Sequence, residues 1–274
     1  DSLSIGVVTN CFLSDCYATM AKIAKVTGRD ADVSVYVQKS KELNALIHEA
    51  YFDPEKNSYS TGTQIDLVYP MLVKATPEDA VGGVKQTLYN ETAQRFKGHL
   101  STGLVGVPVL TQWAIENGEA EFMYQMLKKR EYPGYLYMID NGATLTWEHW
   151  NGSRSRIHNC YNGIGRWFHQ ALAGIMPDEE QPGYKHINIR PQLVEGITWV
   201  KASKNTSYGP VAVNWNIENN VFTLNVEIPA GSTATLSLPT GAEQIEVIPA
   251  IKETGSSMTL PSGQYEIICQ IPGK

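Results

Sequence analysis

No stretch of this 274-residue chain holds the ~20 consecutive apolar residues that a membrane-spanning helix needs. Positive charge is also scarce. Lys and Arg number 22 against 28 Asp and Glu, which leaves a net charge of -6 and a pI near 5.6. A nucleic-acid surface shows as an excess or cluster of cations, so nucleic acid is not an expected partner, and neither is a membrane. The one basic run, Lys128-Lys129-Arg130, reads as the dipole-compensating last turn of a helix. Cysteine is sparse too: Cys11, Cys16, Cys160 and Cys269 show neither CxxC spacing nor a His partner at metal-ligand distance. Buried thiols are expected, with no metal site and no required cofactor, although the letters leave room for one disulfide and for calcium in a loop. Three N-x-S/T sequons, at Asn90, Asn151 and Asn205, read as chance occurrences. The chain opens at Asp1 with no Met and no leader, as an excised piece of a longer protein would.

What is present divides into two patterns. In the first part, apolar residues recur at helical spacing. Phe12 to Val26 forms one stripe, ended by Gly28, and Val33 to Tyr51 a second, which together predict a helical hairpin. Phe52 to Gly62 reads as a polar turn. A shorter helix follows around Ile65 to Val73, with Gln64 and Asp66 at its entrance. Thr76-Pro77-Glu78-Asp79 has the form of a helix start with a Thr cap, and Gly98 of its stop. Helices are expected near Pro108–Glu116 and Glu119–Glu131, and a long one with an apolar face over Ile157–Ile175. The total is about seven helices, joined by short connections. After Pro177–Gly183 the period falls to two, as in Ile187/Ile189, Ile197/Trp199, Val211/Val213/Trp215, Leu236/Leu238, Ile245/Val247 and Tyr265/Ile267. Val221/Thr223 and Phe222/Leu224/Val226 are alternative inward sets. Short strands separated by Gly and Asn turns indicate an antiparallel β-sandwich.

Within the helical part, ahead of its last helix, lies Tyr132–Trp150, YPGYLYMIDNGATLTWEHW, which places Glu148 between Trp147 and Trp150. Indole faces stack on the C–H faces of a pyranose ring, and a neighbouring carboxylate can take a proton from water. That composition suits a sugar site. The competing reading makes the two indoles a corner of the core and Glu148 a solvated acid.

Four stretches carry a more specific likeness. TGLVGVPVL at Thr102–Leu110, NGATLTWEHWNG at Asn141–Gly152, RIHNCYNGIGRWFHQALAGI at Arg156–Ile175 and SYGPVAVNW at Ser207–Trp215 together resemble the α-L-rhamnosidases of glycoside hydrolase family 78. The resemblance implies residues 1–178 as the C-terminal portion of an (α/α)6-barrel catalytic domain, and residues 179–274 as a C-terminal β-sandwich. It implies an inverting hydrolase that removes terminal L-rhamnose from glycosides or polysaccharides. Glu148 would be the general base, and Trp147, Trp150, His158, Tyr137 and Gln64 would bind substrate. His158 has a competing reading as a core histidine satisfied by backbone.

The family's general acid stands in a segment ahead of the helix that begins near Thr9, and this chain has no such segment. The expectation is therefore a chain that carries the base, lacks the acid and is inactive alone. Helices missing from the toroid would leave an open edge able to pair with a second copy. The resemblance also suggests a periplasmic or secreted parent, without fixing the compartment. Two other functions remain open at this point: a non-catalytic carbohydrate-binding scaffold built on the indoles, and another helical-toroid hydrolase or a lyase using Arg154 and Arg156.

Overall fold

The stripe at Phe12–Val26 is the second half of a longer helix. In the computed structural model, which describes residues 2–159 and 161–272, α1 spans Ser2–Val26 and α2 spans Asp30–Tyr51. Gly28 turns the chain between them at φ 71°, a left-handed conformation that costs glycine no steric penalty. Val7, Cys11, Ser14, Ala21 and Ala24 make one buried face of α1. Across it, the Ser14 hydroxyl lies 3.0 Å from the Ser40 hydroxyl and donates to Asn44 Oδ1 at 2.6 Å.

The thiols divide along the same helix. Cys11 is buried, and burial with the nearby Asp66 charge pushes its thiol up to about 12. Cys269 is also buried, but Cys16 is exposed, which corrects the expectation of buried thiols throughout. Cys16 follows Cys11 by five residues, a rotation of about 140° away from the buried face. These three cysteines are free, and Cys160 lies outside the described residues.

The polar turn at 52–62 contains a short antiparallel ladder, β1 (Phe52–Asp53) with β2 (Ser58–Tyr59), too brief to show any period. Next come α3 (Gln64–Leu72) and α4 (Glu78–Gln94). The Thr76 cap is not made. Pro77 takes the cap position without a side-chain hydrogen bond, so acidic Glu78 and Asp79 in the first turn support the helix start. After α5 (Gly106–Glu116) and α6 (Ala120–Leu127), a short α7 (Tyr135–Asp140) lies inside the tryptophan segment. The basic run lies beyond the end of α6. Arg130 instead reaches both carboxylate oxygens of Asp140, at 2.6 and 2.7 Å.

The long helix expected over Ile157–Ile175 does not form. Asn162–Ile164 is a 3-10 turn, Trp167–Leu172 is π-helical, and Ile175–Pro177 is already a strand, β3. Ile157 and Phe168, assigned to the helix's apolar face, are 74% and 53% exposed. A backbone hydrogen bond from His158 to the Thr146 carbonyl holds the beginning of this stretch out of a helix. At its other end Gly174, with φ 76°, turns the chain into β3.

The chain divides into two compact units. One comprises the chain to Trp113 together with Gln125–Gly163, the other Ala114–Tyr124 together with the chain from Ile164 onward. The second unit contains β3 and the remaining strands: β4 (His186–Ile189), β5 (Trp199–Thr206), β6 (Gly209–Glu218), β7 (Val221–Ile228), β8 (Thr233–Ser237), β9 (Glu243–Ile248), β10 (Ser257–Leu260) and β11 (Gly263–Gln270). One sheet has the order β10-β8-β4-β3, the other β5-β6-β7-β11-β9. Pairing is antiparallel except between β4 and β8.

Their shared core includes Ile187, Ile189 and Leu236 from the first sheet and Val213, Trp215, Leu224 and Ile267 from the second. Phe222, Leu224 and Val226 are the inward set of β7. Asn219 and Asn220, at φ 52° and 65°, make the tight turn that leads into it. On the edge strand β5 the inward residues are Val200 and Ala202, so Trp199 is 69% exposed, contrary to the Ile197/Trp199 alternation. A one-residue change of register exchanges the two faces of a strand.

A β-carbon at Gly174 would overlap the backbone of Arg190, and its φ is one that L side chains disfavour. Gly174→Ala should therefore destabilise the protein by about 2 kcal/mol or more. Urea unfolding monitored by circular dichroism would show this as a lower midpoint.

Candidate active site

The tryptophan segment closes on itself through its backbone. His158 N–H donates to the Thr146 carbonyl at 2.9 Å, and the Thr146 hydroxyl donates back to the His158 carbonyl. Further in, Glu148 N–H donates to the Ser155 carbonyl at 2.9 Å, and Ser155 N–H reaches Glu148 Oε2 at 3.3 Å. The turn between them uses Gly152 and Arg154 at φ 72° and 66°, with Asn151 Oδ1 accepting from the Ser153 amide. A β-carbon at residue 152 would stand 2.8 Å from the Trp147 ring, so glycine lets the turn close over the indole.

Both indoles lie inside. Trp147 is 3% exposed and Trp150 9%. Trp150 stacks on Tyr161 at 3.8 Å, meets Tyr135 edge-on at 5.2 Å, and donates its indole N–H to the Thr102 carbonyl at 3.2 Å. Tyr135 donates its hydroxyl to the Tyr161 carbonyl at 2.7 Å, and burial raises the Tyr135 pKa strongly. The Arg156 guanidinium sits 5.2 Å from the Trp147 ring centre. This arrangement differs from an open stacking platform: the rings are occupied by the protein's own side chains.

Glu148 and His158 are brought onto one loop by the paired backbone bonds, and both are partly exposed. Tyr137 lies on α7, half-buried, with its ring edge-on to Tyr132 at 5.4 Å. Gln64 is fully buried at the start of α3. Its amide nitrogen reaches the Thr92 hydroxyl at 3.1 Å and the His99 carbonyl at 3.0 Å, while its oxygen accepts from the Ser101 amide at 2.8 Å. Gln64 thus fixes the stretch whose next residue, Thr102, accepts from Trp150.

Arg154 Nη1 and His149 Nε2 each stand 3.9 Å from Glu148 Oε1. Exposed ion pairs contribute only ~0–1 kcal/mol, so the Arg154 guanidinium orients the carboxylate more than it stabilises the fold. The sequence reading missed the roles of Tyr135, Tyr161 and Ser155, because a non-periodic segment gives no rule for pairing its residues. Among the described residues no group of three or more His, Cys, Asp or Glu side chains is placed to hold a metal ion.

This loop lies within a region, residues 3–172, that matches the bacterial alpha-L-rhamnosidase 6 hairpin glycosidase domain, and residues 174–252 match the bacterial alpha-L-rhamnosidase C-terminal domain. The chain belongs to the bacterial α-L-rhamnosidase family. An alpha-L-rhamnosidase of Formosa agariphila is 31% identical over 89% of this chain and 27% of its own length. One from Alteromonas sp. (strain LOR) is 29% identical over 95% of this chain and 29% of its own length. The chain therefore spans less than a third of these rhamnosidases.

The structure of the rhamnosidase from Dictyoglumus thermophilum superposes with a TM-score of 0.84 at 25% identity, covering 95% of this chain and 31% of that one. That of the Streptomyces avermitilis enzyme complexed with L-rhamnose gives 0.86 at 22% identity, covering 96% and 26%, and agrees in fold.

If the buried indole is a structural element of the rhamnosidase loop, Trp150→Ala should cost about 3–5 kcal/mol. Trp150→Phe, which keeps a ring against Tyr161 but removes the N–H, should cost less. Chemical unfolding of both variants measures this; an unchanged Trp150→Ala midpoint would contradict the assigned role.

Proposed function

We propose that Glu148 is the general base of an inverting α-L-rhamnosidase that removes terminal L-rhamnose from glycosides or polysaccharides. The supporting observation is the loop geometry. One carboxylate oxygen is held by the Ser155 amide, while the other faces Arg154 and His149 at 3.9 Å and has no short hydrogen bond among the described residues. Such a carboxylate can accept a proton from water without moving. His158 and Tyr137 would meet rhamnose hydroxyls, whereas Trp147, Trp150 and Gln64 would act by holding the loop.

In an inverting site the second carboxyl stands ~6.5–9.5 Å from the base, leaving room for the attacking water. Asp140, the other acid of this stretch, is committed to Arg130. The general acid would come from outside these residues, in keeping with relatives more than three times as long. Protonation of the leaving oxygen contributes ~10²–10⁴-fold, so the chain alone would be inactive or nearly so. The functional division would fall at residues 178/179, between barrel portion and sandwich.

In the whole protein, Glu148→Gln should lower kcat on an aryl α-L-rhamnoside by ~10²–10⁴-fold with little change in KM. NMR of wild-type hydrolysis should show β-L-rhamnose as the first product. Retained turnover in the variant would remove Glu148 from the role, and α-L-rhamnose appearing first would remove inversion. Turnover by the 274-residue chain alone would overturn its proposed inactivity.

A second copy would cover the exposed side of α1. Ile5, Phe12 and Ile23, outside its buried face, are 66%, 58% and 47% exposed. A helix apolar on two sides is one that a larger assembly buries. The isolated chain is therefore proposed to dimerise through this face. Light scattering should give twice the chain mass, reduced to monomer by Phe12→Glu; a monomer at every concentration would exclude the pairing.

A further inference from the structure

The second unit has its own cavity, about 210 Å³ and open to solvent, which the proposed catalytic reading does not use. Arg166, His169, Gln170, Tyr184 and Lys204 line it above the buried Ile175. No Asp or Glu is among the lining residues, although the chain as a whole carries a charge of -6. The lining is rich in donors. Arg166 commits Nε and Nη2 to Gln170 Oε1, at 3.3 and 3.2 Å. A guanidinium has five N–H groups, so this bond fixes its plane and leaves others to face a ligand.

The opposite wall is also built. Tyr184 holds φ 68°, a conformation disfavoured for a bulky residue, directly after Gly183 at φ 77°. The Ser232 hydroxyl bonds the Tyr184 carbonyl at 2.9 Å, and the Thr233 amide bonds the next carbonyl, of Lys185, at 3.1 Å. Lys204 on β5 extends its ammonium over the Tyr184 ring, 5.3 Å from the centre. Arg166 acts on the same tyrosine from its side: burial raises the Tyr184 pKa, and the Arg166 charge opposes the rise. Strained backbone held by its neighbours is found preferentially where a ligand is clamped.

We propose that this cavity is an accessory site for one anionic sugar unit, a hexuronate at the end or side of an acidic saccharide. Arg166 and Lys204 would meet the carboxylate, and Gln170 and the Tyr184 hydroxyl would meet ring hydroxyls. The volume is below the ~300–1,000 Å³ of sites for drug-sized molecules, which limits the occupant to about a single ring. The saccharide part of this assignment rests on the rhamnosidase reading; the preference for an anion rests on the lining residues alone.

Titration of the protein with sodium D-glucuronate, D-glucose and sodium sulfate, followed by ¹H–¹⁵N NMR, tests it. Glucuronate should shift the amides of Gln170, Tyr184 and Lys204 and bind about tenfold more tightly than glucose or sulfate, since neither alone offers both the charge and the ring hydroxyls. Arg166→Gln and Lys204→Gln, both exposed positions, should each weaken glucuronate about fivefold or more with unchanged melting curves. No binding, equal binding of glucose, or variants without effect would overturn the proposal. Sulfate binding as tightly as glucuronate would overturn its sugar part. The readout is binding, so these failures leave the role of Glu148 standing, and loss of that role would leave the titration unchanged.

Discussion

Burial of Trp150 is the contact on which the candidate site depends. An aromatic side chain of this size removes ~150–250 Å² from water, roughly 4–6 kcal/mol at ~25 cal/mol per Å² before entropic costs. Its single hydrogen bond to Thr102 contributes about 1 kcal/mol. Packing against Tyr161 and Tyr135 therefore dominates, and it anchors the residue two positions after Glu148. With that end fixed and the Thr146–His158 bonds fixing the other, the carboxylate between them has little freedom. The loop needs no regular secondary structure to be precise, because its anchors are side chains.

Gln64 extends the same arrangement back along the chain. A fully buried amide is costly unless its polar atoms are satisfied, and this one is satisfied by Thr92, the His99 carbonyl and the Ser101 amide. It joins the start of α3 to the residues just before α5, where the acceptor for Trp150 lies. Gln64, Trp147 and Trp150, expected to contact sugar, are thus packed within the protein, whereas Glu148 and His158 stay partly exposed.

The stretch after the loop shows how backbone detail distributes chemical groups. A continuous α-helix over 157–175 would have satisfied its apolar spacing, yet the chain breaks into a 3-10 turn, a π-helical turn and a strand. Those breaks release His158 to the Thr146 clamp and carry Ile175 into pairing with Ile189. The helical turn between them gives one side of the donor-lined cavity its Arg166, His169 and Gln170.

The helical hairpin α1–α2, the helix boundaries near Pro77 and Gly28, the change of period after the 177–183 linker and the inward residues of β6 and β11 were legible in the letters. In each case burial repeats with the period of the element, so local order and hydrophobicity carry the answer. The tryptophan motif likewise carried a resemblance to the rhamnosidase family, to which the chain belongs. The choice between core corner and open platform for Trp147 and Trp150, the occupation of Gln64 and the pairing of Glu148 with Ser155 came only with the tertiary structure. They depend on which distant groups meet, Thr102 with Trp150 or Ser101 with Gln64, and a non-periodic segment encodes no such register. The sequence by itself determined the types and order of most elements; close packing between segments far apart in the chain decided which of its polar and aromatic residues are buried as anchors and which stay exposed.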